Sequence, residues 1–154
     1  MCLEIKKSSV AIIAEEDIEC YKILKRHSGT VLEWFATWYM NTPVELNKTY
    51  YSEMCIESCG WDGCSDLITK GLHSYANLDD CIADNLNDFE SRTWLIVKCY
   101  IPKGSEYYKG KFVAYSSYAS NSIRYTDEIL YCNNELGETI KKFDTTKKNK
   151  RRLL

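Results

Sequence analysis

The sequence predicts an α+β domain, a mixed or antiparallel, split sheet with one helix packed on it. Three observations predict it. Segments of β-forming residues outnumber helical ones, residues 77–90 alone carry a helical stripe, and the most apolar run, "WLIVKCYI", stops at a Pro-Lys-Gly-Ser turn. At 154 residues the chain is long enough for one domain with a buried core.

Taken in order, "DIECYKIL" (17–24) is rich in β-formers and is followed by the polar, Gly-containing "KRHSGT", which reads as a turn. In "VLEWFATWYM" (31–40) the even positions Leu32, Trp34, Ala36, Trp38 and Met40 are all apolar, while Glu33 and Thr37 fall on the other side. That is a half-buried strand, and the two segments predict an antiparallel hairpin. Pro43 and Asn47-Lys48 punctuate the next stretch into loop and short strand. Residues 77–90 form the helix: Asn77 caps it, Asp79 and Asp80 suit the positive end of its dipole, and Leu78, Cys81, Ile82, Leu86 and Phe89 share one face. Trp94 to Ile101 is a strand buried on both sides. Pro102 has no N–H to give a ladder and Gly104 accepts positive φ, so pairing stops there. "KFVAYSSYAS" and "SIRYTDEILYC" supply two more strands.

The formal charge of −2 hides an asymmetry. Residues 139–154 hold seven Lys/Arg and one Asp, so the body, residues 1–138, is acidic at −8. An acidic body is a poor surface for nucleic acid, where neutralising phosphates dominates affinity. The domain therefore spans 1–138, and 139–154 reads as a basic, disordered tail. No apolar run approaches the ~20 residues of a membrane helix, and no secretory leader is visible. The expectation is a cytoplasmic protein with no membrane partner, and the composition is compatible with a homo-oligomer. Its eight cysteines then remain thiols.

No Walker-type loop, GxGxxG or Ser/His/Asp order is present. Cys55, Cys59 and Cys64 with His73 hold four zinc-type ligands, but their spacing lacks paired Cys-x2-Cys knuckles, so no metal is assigned. His73-Ser74-Tyr75 run into a capped helix, where free N–H groups meet anions.

Over residues 70–130, with the early strand, the layout resembles the core of the ADP-ribosyltransferase fold. That family carries Tyr-Arg on an early strand and a later strand ending in Ser-Thr-Ser before a helix. A Pro-x-Gly turn then closes a strand, and Glu-x-Glu leads into an apolar one. Here Tyr21-Lys22, His73-Ser74-Tyr75 and Pro102-Lys103-Gly104 stand at the first three, and Thr126 and Glu128 at the last. The segments "GLHSY" and "IPKGSEYY" are also similar to segments of short phage and gut-bacterial proteins.

The resemblance implies a nucleotide-derived ligand in the cleft of a split sheet. Lys22, His73, Ser74 and Tyr75 would bind it, Lys103 and Ser105 would meet its phosphates, and Trp34, Tyr107 and Tyr108 would stack on its rings. Lys for Arg, His-Ser-Tyr for Ser-Thr-Ser and Thr126 for the first Glu remove most catalytic identities. The expected function is therefore non-catalytic binding of an ADP-ribose-like or cyclic nucleotide, in the setting of a phage-type sponge for a host immune signal. It needs no cofactor. The alternatives are a divergent ADP-ribosyltransferase using NAD, with Glu128 stabilising the oxocarbenium, and a protein-inhibitor module acting through an aromatic face and the basic tail.

Overall fold

The computed structural model describes residues 2–28, 33–37, 42–58, 65–85, 94–133 and 139–140. Its strands are β1 (Leu3–Lys6), β2 (Ile12–Ile13), β3 (Ile18–Ser28), β4 (Glu33–Thr37), β5 (Pro43–Val44), β6 (Thr49–Tyr51) and β7 (Cys55–Ser58). After β8 (Ser65–Lys70) and β9 (Leu72–Tyr75) comes the helix α1 (Leu78–Asn85). Then follow β10 (Trp94–Ile101), β11 (Glu106–Phe112), β12 (Tyr115–Ser120), β13 (Ser122–Asn133) and β14 (Thr139–Ile140). Every pairing among the described strands is antiparallel. The sheet runs β14-β13-β10-β3-β9-β12-β11-β1-β8-β7, with β2 beside β11, β4 beside β3, β5 beside β4, and β6 beside β13.

This corrects the expected class. The fold is a β-rich, curled half-barrel carrying one short helix, not an α+β domain. The reason is local. β1, β2 and β5–β9 are two to six residues long, too short to show a period, and β1, β2, β6, β8 and β9 gain ladder partners from distant parts of the chain. The helix, expected over 77–90, is described over Leu78–Asn85, so Leu86 and Phe89 lie outside the described residues. The sheet also continues past the 138 boundary into β14, which pairs Ile140 with Cys132. Residues 141–154 lie outside the described residues.

β10 is the centre of the fold, between β13 and β3. Its apolar residues serve both sides of the sheet. Leu95, Val97, Cys99 and Ile101 join Cys20 and Leu24 of β3, Ile123 and Tyr125 of β13, and Val44 in one cluster. Trp94 and Ile96 join Ile23, Tyr75 and Cys81 on the other side, where Leu78 and Ile82 of α1 pack down. Leu3, Ile5, Ile68 and Ala119 fill a third cluster where the sheet curls. The helix is tied on by Asp80, whose Oδ2 accepts from Asn77 Nδ2 (3.3 Å) and from the Ser116 N–H (3.3 Å).

The turn after β10 is a clasp. Ser105 N–H donates to Pro102 O (3.0 Å) and Gly104 sits at φ 87°, the positive φ that a type II turn needs at its third residue. Gly104 N–H donates to Ala14 O and Ala14 N–H to Ser105 O, both at 2.8 Å, while Lys103 N–H donates to Asp17 Oδ1 at 2.9 Å. The turn thereby fastens the connection between β2 and β3.

Candidate functional site

The site begins with an unusual edge. Along one side of β3, residues 18–25 pair continuously with β10. The other side is shared: β9 meets it at Tyr21, opposite Tyr75, and β4 meets it from Leu24, opposite Thr37. Between those two junctions Lys22 and Ile23 have no ladder partner on that side among the described residues. β9 and β4 diverge there, and the sheet splits.

A cavity of about 450 Å³ fills the split. Its walls include Thr37 and Thr42 on the β4 side and Thr69 to His73 on the β9 side, with Tyr50, Tyr51 and Ser52 along a third. Tyr21, Lys22, Ile23, Val44, Tyr75 and Tyr125 complete the lining, which among the described residues contains two lysines and no carboxylate. The rims differ in character. Lys70 is exposed and paired with Glu53 (3.4 Å), whereas Lys22 is enclosed by protein and keeps partial access through the cavity.

Lys22 is the chemical anomaly. The register puts it between Cys20 and Leu24 of the core cluster and directly opposite Val97. The ionisable groups that act on it are the thiols of Cys99, Cys20 and Cys81, which burial keeps protonated and uncharged, and among the described residues no carboxylate balances it. Burial therefore holds its ammonium below the ordinary lysine value. A step along from the Tyr21–Tyr75 pair, Ser74 is buried and its Oγ has no hydrogen-bond partner. The Cys20 thiol interacts with that hydroxyl, but a thiol is a weak hydrogen-bond partner. A lone cation and an unsatisfied hydroxyl thus occupy neighbouring strands at the split.

The other walls are held rigidly. His73 faces two backbone carbonyls, Gly71 O from Nδ1 (3.2 Å) and Ile68 O from Nε2 (3.3 Å), and a neutral ring can donate to only one of them. Burial, and then the Lys22 charge, push its pKa down to about 4, so the ring is neutral at pH 7. Tyr75 donates its hydroxyl to Asp84 of α1, Tyr21 donates to Glu19 Oε2 (3.0 Å), and the Tyr50 hydroxyl accepts the Glu45 N–H (2.7 Å). Tyr50 also packs edge-on against Tyr125, with centroids 5.6 Å apart. These rings are fixed before any ligand arrives.

The residues expected from the sequence are therefore divided. Lys22, His73 and Tyr75 line the cavity and Ser74 lies buried beside it. Lys103 and Ser105 sit in the clasp and line neither this cavity nor the groove beside it, a second depression that shares Tyr51 and Ser52 with it. Tyr107 packs edge-on against Tyr118, and Tyr108 lines the groove. Trp34 lies on β4, but its side chain is outside the described residues. Glu128 binds Lys98 Nζ (3.2 Å), which also holds Glu19 (2.9 Å). Lys98 alternates with Val97 and Cys99, so this cluster stands on the opposite face of β10 from the Lys22 row. Of the zinc set, Cys59 and Cys64 lie outside the described residues, and Cys55 is exposed. Sequence reading missed Thr37, Tyr50, Tyr51 and Thr69; "KTYYS" offered a tyrosine pair, but nothing local placed it beside Lys22.

No protein-family model matches the chain, and neither does any curated protein or solved structure. Among the described residues no helix is long and apolar enough to cross a membrane.

Proposed function

We propose that the protein captures a small anionic, nucleotide-derived ligand in the split beside β3 and releases it unchanged. The observation that carries this reading is Lys22, an enclosed cation that no carboxylate among the described residues balances, in a cavity whose described lining has none either. A buried charge without a partner is unfavourable, and an arriving phosphate supplies both the opposite charge and the acceptor oxygens. The Ser74 hydroxyl is a second group left to be satisfied. The cavity, at about 450 Å³, falls in the range of small-molecule sites, and its pre-set tyrosines suit ribose and base rings.

Binding without turnover is supported by where the acid–base candidates stand. His73 is enclosed between carbonyls, and Glu128 is paired on the other face of β10. The ligand class is ADP-ribose-like molecules or cyclic nucleotides, and sequestering such a signal is the role of a phage-type sponge. A thermal-shift panel of NAD, ADP-ribose, cyclic ADP-ribose and cyclic dinucleotides tests the reading. A ligand at 100 times its Kd adds about 2.7 kcal/mol, and the same ligand should not shift Lys22→Met. No shift with any of them, or an equal shift in the variant, overturns it.

A further inference from the structure

A second, more open depression adjoins the split. Its volume is about 770 Å³, and Tyr51 and Ser52 line both. Tyr51 is 79% exposed, an aromatic ring left in water on the wall common to the two. Glu106, Tyr108 and Asn121 also line the groove. Asn121 accepts the Glu106 N–H through Oδ1 (3.0 Å), so its Nδ2 is the end left to donate elsewhere. Asn121 also exchanges backbone bonds with Glu106 and Ser52, both at 3.0 Å, which fixes it between the two compartments. Of the two acids in the groove, Glu53 is paired with Lys70, whereas the Glu106 carboxylate has no ion-pair partner among the described residues.

We propose that the groove is the base-reading half of the same site, and that it takes guanine. The inference rests on the reading of the split as the phosphate-binding half. A base leaving the split meets the Tyr51 face, on which any purine stacks. Its edge then meets a free carboxylate and an amide N–H. Guanine presents N1–H and the N2 amino group side by side, two donors that match the two carboxylate oxygens of Glu106, and its O6 accepts from Asn121 Nδ2. Adenine offers one donor beside a ring-nitrogen acceptor, which faces the carboxylate unfavourably. A site built to bond a polar group discriminates strongly against the analogue lacking it.

The test compares cyclic di-GMP with cyclic di-AMP and GDP with ADP, using ribose 5-phosphate as the base-free control, by isothermal titration. Wild type is expected to bind each guanine form at least tenfold more tightly than its adenine counterpart. Glu106→Gln is expected to remove that preference without altering ribose 5-phosphate binding. Tyr51→Ala is expected to weaken guanine and adenine forms alike, because its ring stacks on either base. Nucleotides that bind in a Lys22-dependent way with no base preference, or with affinities untouched by Glu106→Gln, overturn the groove assignment and leave the split intact. Absence of nucleotide binding, or binding indifferent to Lys22→Met, overturns both.

Discussion

Replacing Lys22 by methionine should make the protein more stable and disarm its site. The two side chains have similar length, so the change removes a charge while keeping most of the volume beside Val97 and Leu24. In the folded state that charge is enclosed with no carboxylate beside it among the described residues, and burial depresses its pKa below the ordinary 10.5. Each unit of depression corresponds to about 1.4 kcal/mol of preference for the unfolded state. The unfolded chain binds the Lys22 proton more readily, so stability rises with pH between the folded pKa and 10.5, and the penalty is fully present below that window. Exchanging buried charges for apolar groups of like volume stabilises proteins by about 1–4 kcal/mol in favourable cases. Lys22→Met should therefore gain about 1–3 kcal/mol at pH 7, and each kcal/mol corresponds to about 2–4 °C in Tm for a chain of this size. The gain should shrink as the pH approaches 10.5. Urea unfolding followed by tryptophan fluorescence from pH 6 to 10 measures it. A variant destabilised by 1 kcal/mol or more at pH 7, or a gain that grows with pH, would refute the electrostatic account of the split.

Three further outcomes follow from the same structure. His73 titrates at about 4 when folded and near 6.5 when unfolded, so its contribution to stability is lost as pH falls through that interval, by about 3 kcal/mol at most. The slope of urea midpoint against pH between 6.5 and 4 should flatten in His73→Gln. A Cβ at Gly110 would lie 2.1 Å from the Glu4 carbonyl oxygen, which is backbone and has no rotamer to escape into. Gly110→Ala should therefore part β1 from β11 and lower Tm sharply, and an unchanged Tm would contradict the described register. Lys103→Ala should alter neither stability nor ligand affinity, because the clasp uses the Lys103 backbone N–H and its side chain is exposed; titration and a melting curve check both.

What the sequence revealed depended on how local the signal was. The central position of β10 was legible because eight consecutive residues are β-forming and nearly all apolar. The β3–β4 hairpin was legible from residues 17–24, the polar turn and the alternation after it, and Gly104 was legible as a positive-φ residue. The half-barrel was not. β1 alternates Leu3 and Ile5 with Glu4 and Lys6, but four residues do not declare a strand, and its partners lie some sixty and a hundred residues away. The role of the clasp was hidden for the same reason, since its hydrogen-bond partners are Ala14 and Asp17. Lys22 could be singled out in the sequence, but its isolation could not, because it arises where β4 and β9 part from one edge of β3. That divergence is a property of pairing, not of any stretch of residues.

The central claim is that Lys22 is unbalanced in the free protein and balanced by the ligand's anion. Side-chain ¹⁵N NMR of the lysine amines, titrated with and without the best ligand of the panel, tests it most directly. The Lys22 signal is assigned by its absence in Lys22→Met. The expected result is a Lys22 that titrates below 10.5 in the free protein and moves upward on saturation, while the exposed lysines stay in place. A Lys22 that titrates at or above 10.5 in the free protein, or whose titration ignores a bound nucleotide, would contradict it.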